Sequence, residues 1–365
     1  MRAAALSRPL IRGPSPARAT VVLGVAAAIL LVVLIVAVGA GSVGISLSDT
    51  ARILARRALG LPLVATWSPA AETIIFELRL PRVLTAMLVG AALAGAGTVF
   101  QAIFRNPMAD PYVIGTAAGA SLGAVLGIMA PLLFPWLAIG AGSAWLGLGA
   151  AQLLAFVGGL GTVLAVYTVA RSGARVAPVT LLLTGYAVSS ILAAAVALLM
   201  FMAGRALASI VGWLMGSLAG SSWPQLALAG PLVGLSLTLL VLRWRGLNLL
   251  LLGDRQAAHL GLDVEREKLI LTVLATLATS ASVAISGTIG FVGLVVPHLL
   301  RLLIGPDHRL LLPTAVLVGA SLLALADMAA RLLGGLPVGV LTALLGAPFL
   351  VWLLRRSRGA GALSS

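Results

Sequence analysis

The chain has 365 residues, of which 61% are hydrophobic and 9% charged, with a formal net charge of +14 and a mean hydropathy of +1.14. Soluble domains carry about 25% charged residues, so an ordinary soluble globule is excluded. There is no cysteine, which excludes disulfides, thiolate metal sites and cysteine nucleophiles. Apolar runs of about 18 or more residues recur along the chain, the signature of membrane-spanning helices. A membrane barrel would instead alternate apolar and polar residues. The fold class is therefore an all-α polytopic membrane protein. The cation excess, 23 arginines and the single Lys268, reads as arginine-rich cytoplasmic loops rather than a nucleic-acid surface.

Residues 1–19 read as a disordered basic cytoplasmic tail, with Arg2, Arg8, Arg12, Arg18 and three prolines. The apolar run Thr20–Ala40 is longer than the roughly 7–15 residue core of a cleaved signal peptide, so it is read as a first span. Nine more spans are expected at Pro81–Phe104, Val113–Leu133, Trp145–Ala170, Pro178–Met202, Pro224–Leu242, Leu269–Ser286, Ile289–Ile304, Leu310–Met328 and Pro337–Leu354. Pro131, Pro135, Gly140 and Gly142 break the apolar run before the fourth span, and Ser209–Ser222 reads as a short extra helix outside the core. The spans make one transmembrane unit over 20–356, with a second cytoplasmic tail at 357–365. Ten spans place both termini on one side. With both inside, 17 of the 24 cations fall in cytoplasmic segments, which supports an N-in, C-in topology.

Gly115, Gly119, Gly123 and Gly127 repeat every fourth residue in the third span, a stripe that lets another helix backbone approach closely. Gly119–Gly123 also matches the GxSxG pattern of a serine nucleophile, but that motif needs a strand-turn-helix elbow, so the packing role is preferred. The histidines, His259, His298 and His308, show no metal-binding spacing. His298 and Arg301 fit either a proton relay or a cytoplasmic helix end hydrogen-bonded to loop carbonyls, and the shortness of that span favours the second. None of the ten acids falls in mid-span, Asp327 coming closest, which argues against a proton- or sodium-driven carrier. No GxxxxGK[ST] loop exists, because the only lysine sits between Glu267 and Leu269. An ATP-driven mechanism therefore needs a separate ATP-binding subunit.

Residues 243–268, RWRGLNLLLLGDRQAAHLGLDVEREK, hold nine charged side chains in a chain with only 24 cations and 10 anions. Within them a short helix is expected from Asp254, as N-cap, to Gly261, as terminator. Apolar on one face, it suits a groove on a partner, with a merely solvated loop as the alternative.

Five segments carry a family resemblance: 79–127 (RLPRVLTAMLVGAALAGAGTVFQAIFRNPMADPYVIGTAAGASLGAVLG), 212–220 (GWLMGSLAG), 247–266, 287–313 (GTIGFVGLVVPHLLRLLIGPDHRLLLP) and 336–356. They resemble the FecCD/BtuC-like permeases, the membrane subunits of type II ATP-binding-cassette importers for iron-siderophore, haem and cobalamin. The resemblance implies ten helices per subunit and two subunits, as a homodimer or with a close paralogue. It also implies two ATPase subunits on the cytoplasmic face, an extracytoplasmic substrate-binding protein, and residence among the lipids of a prokaryotic cell membrane. ATP and Mg would be bound by the ATPase, leaving this chain with no cofactor, no metal, no enzymatic site and no nucleic-acid partner. Leu252, Gly253, Asp254, Ala257, Ala258, Leu260 and Gly261 match the family's LGDxxAxxLG coupling loop. Arg79, Arg82 and Arg331 match arginines that receive acidic residues of the binding protein, although local pairing, Asp327 with Arg331 and Glu77 with Arg79, is the simpler use for them. The family's cytoplasmic gate falls at Pro178, Val179 and Thr180, and Thr184, Tyr186, Ser189 and Ser190 would line the pathway. The ligand implied is a metal chelate, iron-siderophore or haem ahead of cobalamin. A stand-alone secondary transporter is the rival reading.

Overall fold

The computed structural model describes residues 15–41, 43–133, 149–172 and 175–361. Arg2, Arg8, Arg12, Pro135, Gly140, Gly142, the span start at Trp145 and the last four residues of the C-terminal tail lie outside them. Helix α1 spans Pro16–Gly39. Ser15 caps it by accepting from the Arg18 amide at 3.3 Å, and Pro16 occupies the first position, where its missing N–H costs nothing. Residues 16–19, expected in the tail, are therefore helical. α2, Leu47–Leu59, was not foreseen; Ser46 accepts from the Asp49 amide at 3.0 Å and Gly60 ends the helix at φ 66°.

α3 runs continuously over Pro69–Ile103, with a wide π turn at Ile74–Arg79 just before Pro81, which has no amide hydrogen to donate. α4 (Thr116–Leu133) and α5 (Ala150–Ala170) follow, and a two-residue hairpin, β1 (Arg171–Ser172) with β2 (Arg175–Val176), leads into α6 (Pro178–Met202). α7 (Leu207–Leu214) is the expected extra helix, but it stops eight residues early. The Gly216 backbone turns at φ 69°, and the Ser217 amide donates to the Ser286 carbonyl instead of continuing the helix. α8 is Trp223–Leu242, α9 Trp244–Leu251 and α10 Asp254–His259. α11 spans Val264–Ser286, α12 Val292–Ile304, α13 His308–Leu332 and α14 Val338–Gly361.

Seven helices, α1, α3, α5, α6, α8, α11 and α13, are long and apolar enough to cross a membrane, and α4, α12 and α14 are shorter apolar helices. Together they are the ten segments expected from hydropathy. α11 starts five residues earlier than expected because its charged first turn is well capped: Asp263 accepts from the Arg266 amide at 3.1 Å, and Glu265 and Glu267 face the positive end of the helix dipole.

Close backbone approach holds the bundle together, since lipid gives helices no hydrophobic reason to associate. The glycine stripe of α4 lies against α5, the most extensive helix pair among the described residues. A Cβ at Gly119 would strike Thr162, one at Gly123 the Leu154 carbonyl, and one at Gly127 the Ala151 backbone. The central α3 meets α13 at Gly90 and Gly319, and α12 at Gly97 and Gly293, in the same way. The GxSxG serine, Ser121, is buried within this packing.

The two ends of the bundle are chemically distinct. Arg79 and Arg331 meet the last carbonyls of α1 at one end, while Asn248, Gly253, Arg105 and Asp307 gather at the other. The second end carries most of the positive charge and is assigned to the cytoplasm.

The cytoplasmic elbow and the outer arginine cluster

The segment 243–268 folds into a compact elbow of α9, α10 and the first turn of α11. Gly253, at φ 101° and ψ 154°, occupies backbone space open to glycine alone and is the residue that turns the chain into α10. It takes the N-cap position expected for Asp254. Asp254 is instead the first helical residue, and its carboxylate accepts a 2.6 Å hydrogen bond from Lys268 Nζ. The expected terminator holds: Gly261 lies at φ 87°, and the Leu262 amide donates to the Ala257 carbonyl. Ala257 is fully buried against the bundle, whereas Ala258 is exposed. Leu252 and Leu260 are 50% and 61% exposed, and with Gln256 and His259 they border a shallow recess of about 360 Å³ at the cytoplasmic surface. Leu252 and Leu260, which flank α10, thus present apolar side chains to water while Ala257 anchors the inner face of the helix.

At the outer end, all three expected arginines are brought together. Arg79 is buried and donates to the Gly39 carbonyl at 2.7 Å and the Val43 carbonyl at 2.5 Å. Arg331 donates to the Ala40 and Ala37 carbonyls, each at 2.8 Å. The Ala37, Gly39 and Ala40 carbonyls close α1 while Val43 lies in the loop beyond it, so the two guanidinium groups act as the helix's C-terminal cap and tie down the following loop. Arg82 forks onto Asp327, with Nε at 3.1 Å from both oxygens and Nη2 at 2.8 Å from Oδ1, and Arg331 Nε approaches Asp327 Oδ2 at 3.1 Å. The local pairing of Asp327 with Arg331 is present. Arg79 turns to backbone carbonyls and not to Glu77, because α1 ends beside it.

The expected gate and pathway residues lie on α6. Pro178, Val179 and Thr180 form its first turn, with Val179 and Thr180 exposed. Tyr186 (75% exposed) and Ser190 point away from the subunit, and Ser190 donates to the Tyr186 carbonyl at 3.0 Å. Ser189 turns inward, close to Gly115, and Thr184 is half-buried. His298 lies midway along α12 and is buried, and neither ring nitrogen finds a hydrogen-bond partner among the described residues, contrary to the expected loop-carbonyl bonds. The reason is position: α12 packs along α3, and His298 lies six residues before the helix ends at Ile304. Arg301 reaches Gln101 Oε1 at 3.4 Å. Among the described residues, no three His, Cys, Asp or Glu side chains gather in a way that could hold a metal ion.

Among the described residues, seven span-length and three shorter apolar helices, with a short helix exposed at one end, define a multi-pass membrane protein. The FecCD transport family matches residues 29–356, and the chain belongs to that family. It is 42% identical over 299 residues to the cobalamin import system permease protein BtuC of Halobacterium salinarum, covering 82% of this chain and 78% of that one. It is 40% identical to the hemin transport system permease protein HmuU of Yersinia pestis, covering 90% of this chain and 95% of the relative. The molybdate import system permease protein MolB of Haemophilus influenzae is 37% identical, over 90% and 94% of the two chains. A solved inward-facing structure of a metal-chelate type ABC transporter superposes with a TM-score of 0.76 at 33% identity, covering 92% of this chain and 99% of the other.

Proposed function

We propose that this chain is the permease subunit of an ATP-binding-cassette importer that moves a metal chelate across the cell membrane of a prokaryote. It does no chemistry of its own; ATP and Mg²⁺ are held by two partner ATPase subunits. Two copies of the chain, or one copy with a close paralogue, enclose the pathway, and an extracytoplasmic binding protein delivers the ligand. The observation that carries this reading is the α9–α10 elbow, which presents Leu252, Ala258 and Leu260 at the cytoplasmic end within the LGDxxAxxLG pattern. Burying the exposed parts of Leu252 and Leu260 in a partner groove would supply roughly 1–2 kcal/mol each. Relatives named for hemin, cobalamin and Fe(3+) dicitrate support a metal chelate as the ligand, and we place an iron-siderophore or haem ahead of cobalamin. The weakly polar α6 face, with Tyr186 and Ser190 outward and Thr184 half-buried, suits a pathway on which such a ligand does not stick, whereas Ser189 packs inward. Arg82, with Arg79 and Arg331 behind it, is assigned to the docking of acidic residues of the binding protein.

The experiment is co-purification followed by reconstitution. Recovery of a P-loop ATPase with the chain, and uptake into liposomes only with ATP on the ATPase side, are expected. Uptake by the chain alone without ATP would instead identify a secondary transporter.

A further inference from the structure

Lys268 is the only lysine in 365 residues, and it is placed where a lysine is costly. Its side chain is 4% exposed, in the first turns of α11, and its ammonium lies 2.6 Å from an Asp254 carboxylate that is 38% exposed. The preceding residue, Glu267, is as deeply buried and makes a 2.6 Å ion pair with Arg243, which immediately precedes α9. Gly246, within α9, is packed so closely on Glu267 that a Cβ there would collide with its carboxylate. Two consecutive side chains of α11 therefore grip the two short helices of the elbow, one each. Burying opposite charges contributes little net stability, because desolvation offsets most of the attraction, but it fixes geometry strongly, since any displacement leaves a charge uncompensated. The contact is thus better suited to holding α10 in register with α11 than to stabilising the fold.

We infer that Lys268 and Glu267 are positioning residues that lock the α9–α10 elbow to α11, so that a push on α10 becomes a displacement of α11. The far end of that helix supports the consequence. Through the Ser286 carbonyl, α11 accepts from the Ser217 amide, and the segment just beyond it joins through Thr288 Oγ1, which donates to the Leu214 carbonyl at 2.6 Å. A rigid α11 thereby links the cytoplasmic elbow to the segment around α7 at the opposite end of the subunit. Gripping the elbow at two points, one at each short helix, distinguishes this arrangement from a single surface ion pair, which would let α10 pivot.

This inference rests on the reading of α10 as the ATPase contact, and its test separates the two. Lys268→Gln is the informative variant, because the stranded Asp254 is exposed enough to be hydrated, whereas removing Asp254 would strand a buried ammonium. Because the chain lacks cysteine, Arg255→Cys and Arg266→Cys give exposed spin-label sites on α10 and α11 without further changes. In the permease alone, Lys268→Gln is expected to broaden the distance distribution between these labels at least twofold. In the reconstituted complex the ATPase still co-purifies, while transport per ATP falls about tenfold. The reciprocal exchange Asp254→Lys with Lys268→Asp is expected to recover at least a third of that loss. An unchanged label distribution together with unchanged transport per ATP would overturn the lock. If Ala258→Asp left ATPase binding intact, the docking reading would fail instead, and the label measurement on the isolated permease would still decide the lock.

Discussion

Arg82 and Asp327, 245 positions apart, form a two-pronged ion pair at the outer end of the bundle, with Nη2 at 2.8 Å from Oδ1 and the Asp327 side chain fully buried. Arg331 Nε also lies 3.1 Å from Asp327 Oδ2, so one carboxylate compensates two guanidinium groups, and its pair with Arg82 joins α3 to α13. Asp327→Ala strands both cations, and a loss of about 3–5 kcal/mol is expected. Asp327→Asn keeps the volume and some hydrogen bonding and should lose less. Thermal unfolding in detergent would check the order, with wild type above Asn and Asn above Ala.

The same cluster sharpens the test of binding-protein docking. Arg79 and Arg331 hold the last carbonyls of α1, so reversing their charge damages the fold as well as any docking surface. Arg82 is the partly exposed member. Arg82→Gln removes the outward charge while Asp327 still compensates Arg331. This variant should lose less stability than Asp327→Ala, yet lose most of the stimulation of ATP hydrolysis by the binding protein. Stimulation at the wild-type level would remove Arg82 from the docking surface.

Glycine positions on one helix pair predict opposite signs. Gly123→Ala pushes a methyl into the Leu154 carbonyl and should cost about 1–3 kcal/mol. Gly161→Ala, on α5 and facing open space, removes glycine's conformational cost and should stabilise the helix by about 0.5–1 kcal/mol. Urea-induced unfolding of the two variants in one detergent checks both.

Gly253 carries the turn into α10. Its backbone at φ 101° is closed to alanine, so Gly253→Ala should cost about 1–3 kcal/mol locally and tilt α10 out of its seat. The expected outcome is a permease that still inserts but retains less than a tenth of ATP-driven uptake, measured alongside expression in the membrane fraction.

The ten apolar helices, seven of them long enough to span, were legible because each is an apolar run. α6 matched its expected limits, since Pro178 and the polar break at Ala203–Arg205 mark both ends. α2 was missed because its charged residues, Arg52, Arg56 and Arg57, hide an amphipathic helix from a search for apolar runs. Asp254 was misassigned because an acid after glycine looks like a cap; only the fold brings Lys268, 14 positions away, within hydrogen-bonding reach. Likewise the i,i+4 pair of Asp327 with Arg331 could be read from spacing, but not the Arg82 fork or the use of Arg79 and Arg331 to close α1.

The most direct measurement concerns Ala258, exposed on α10 beside the buried Ala257. Ala258→Asp places a charge on the face assigned to the ATPase without touching the packed side of the helix. The expected result is a permease that inserts and unfolds like wild type but no longer retains the ATPase on co-purification, with ATP-driven uptake lost. Wild-type retention of the ATPase and wild-type uptake in this variant would contradict the assignment of 243–268 as the coupling surface.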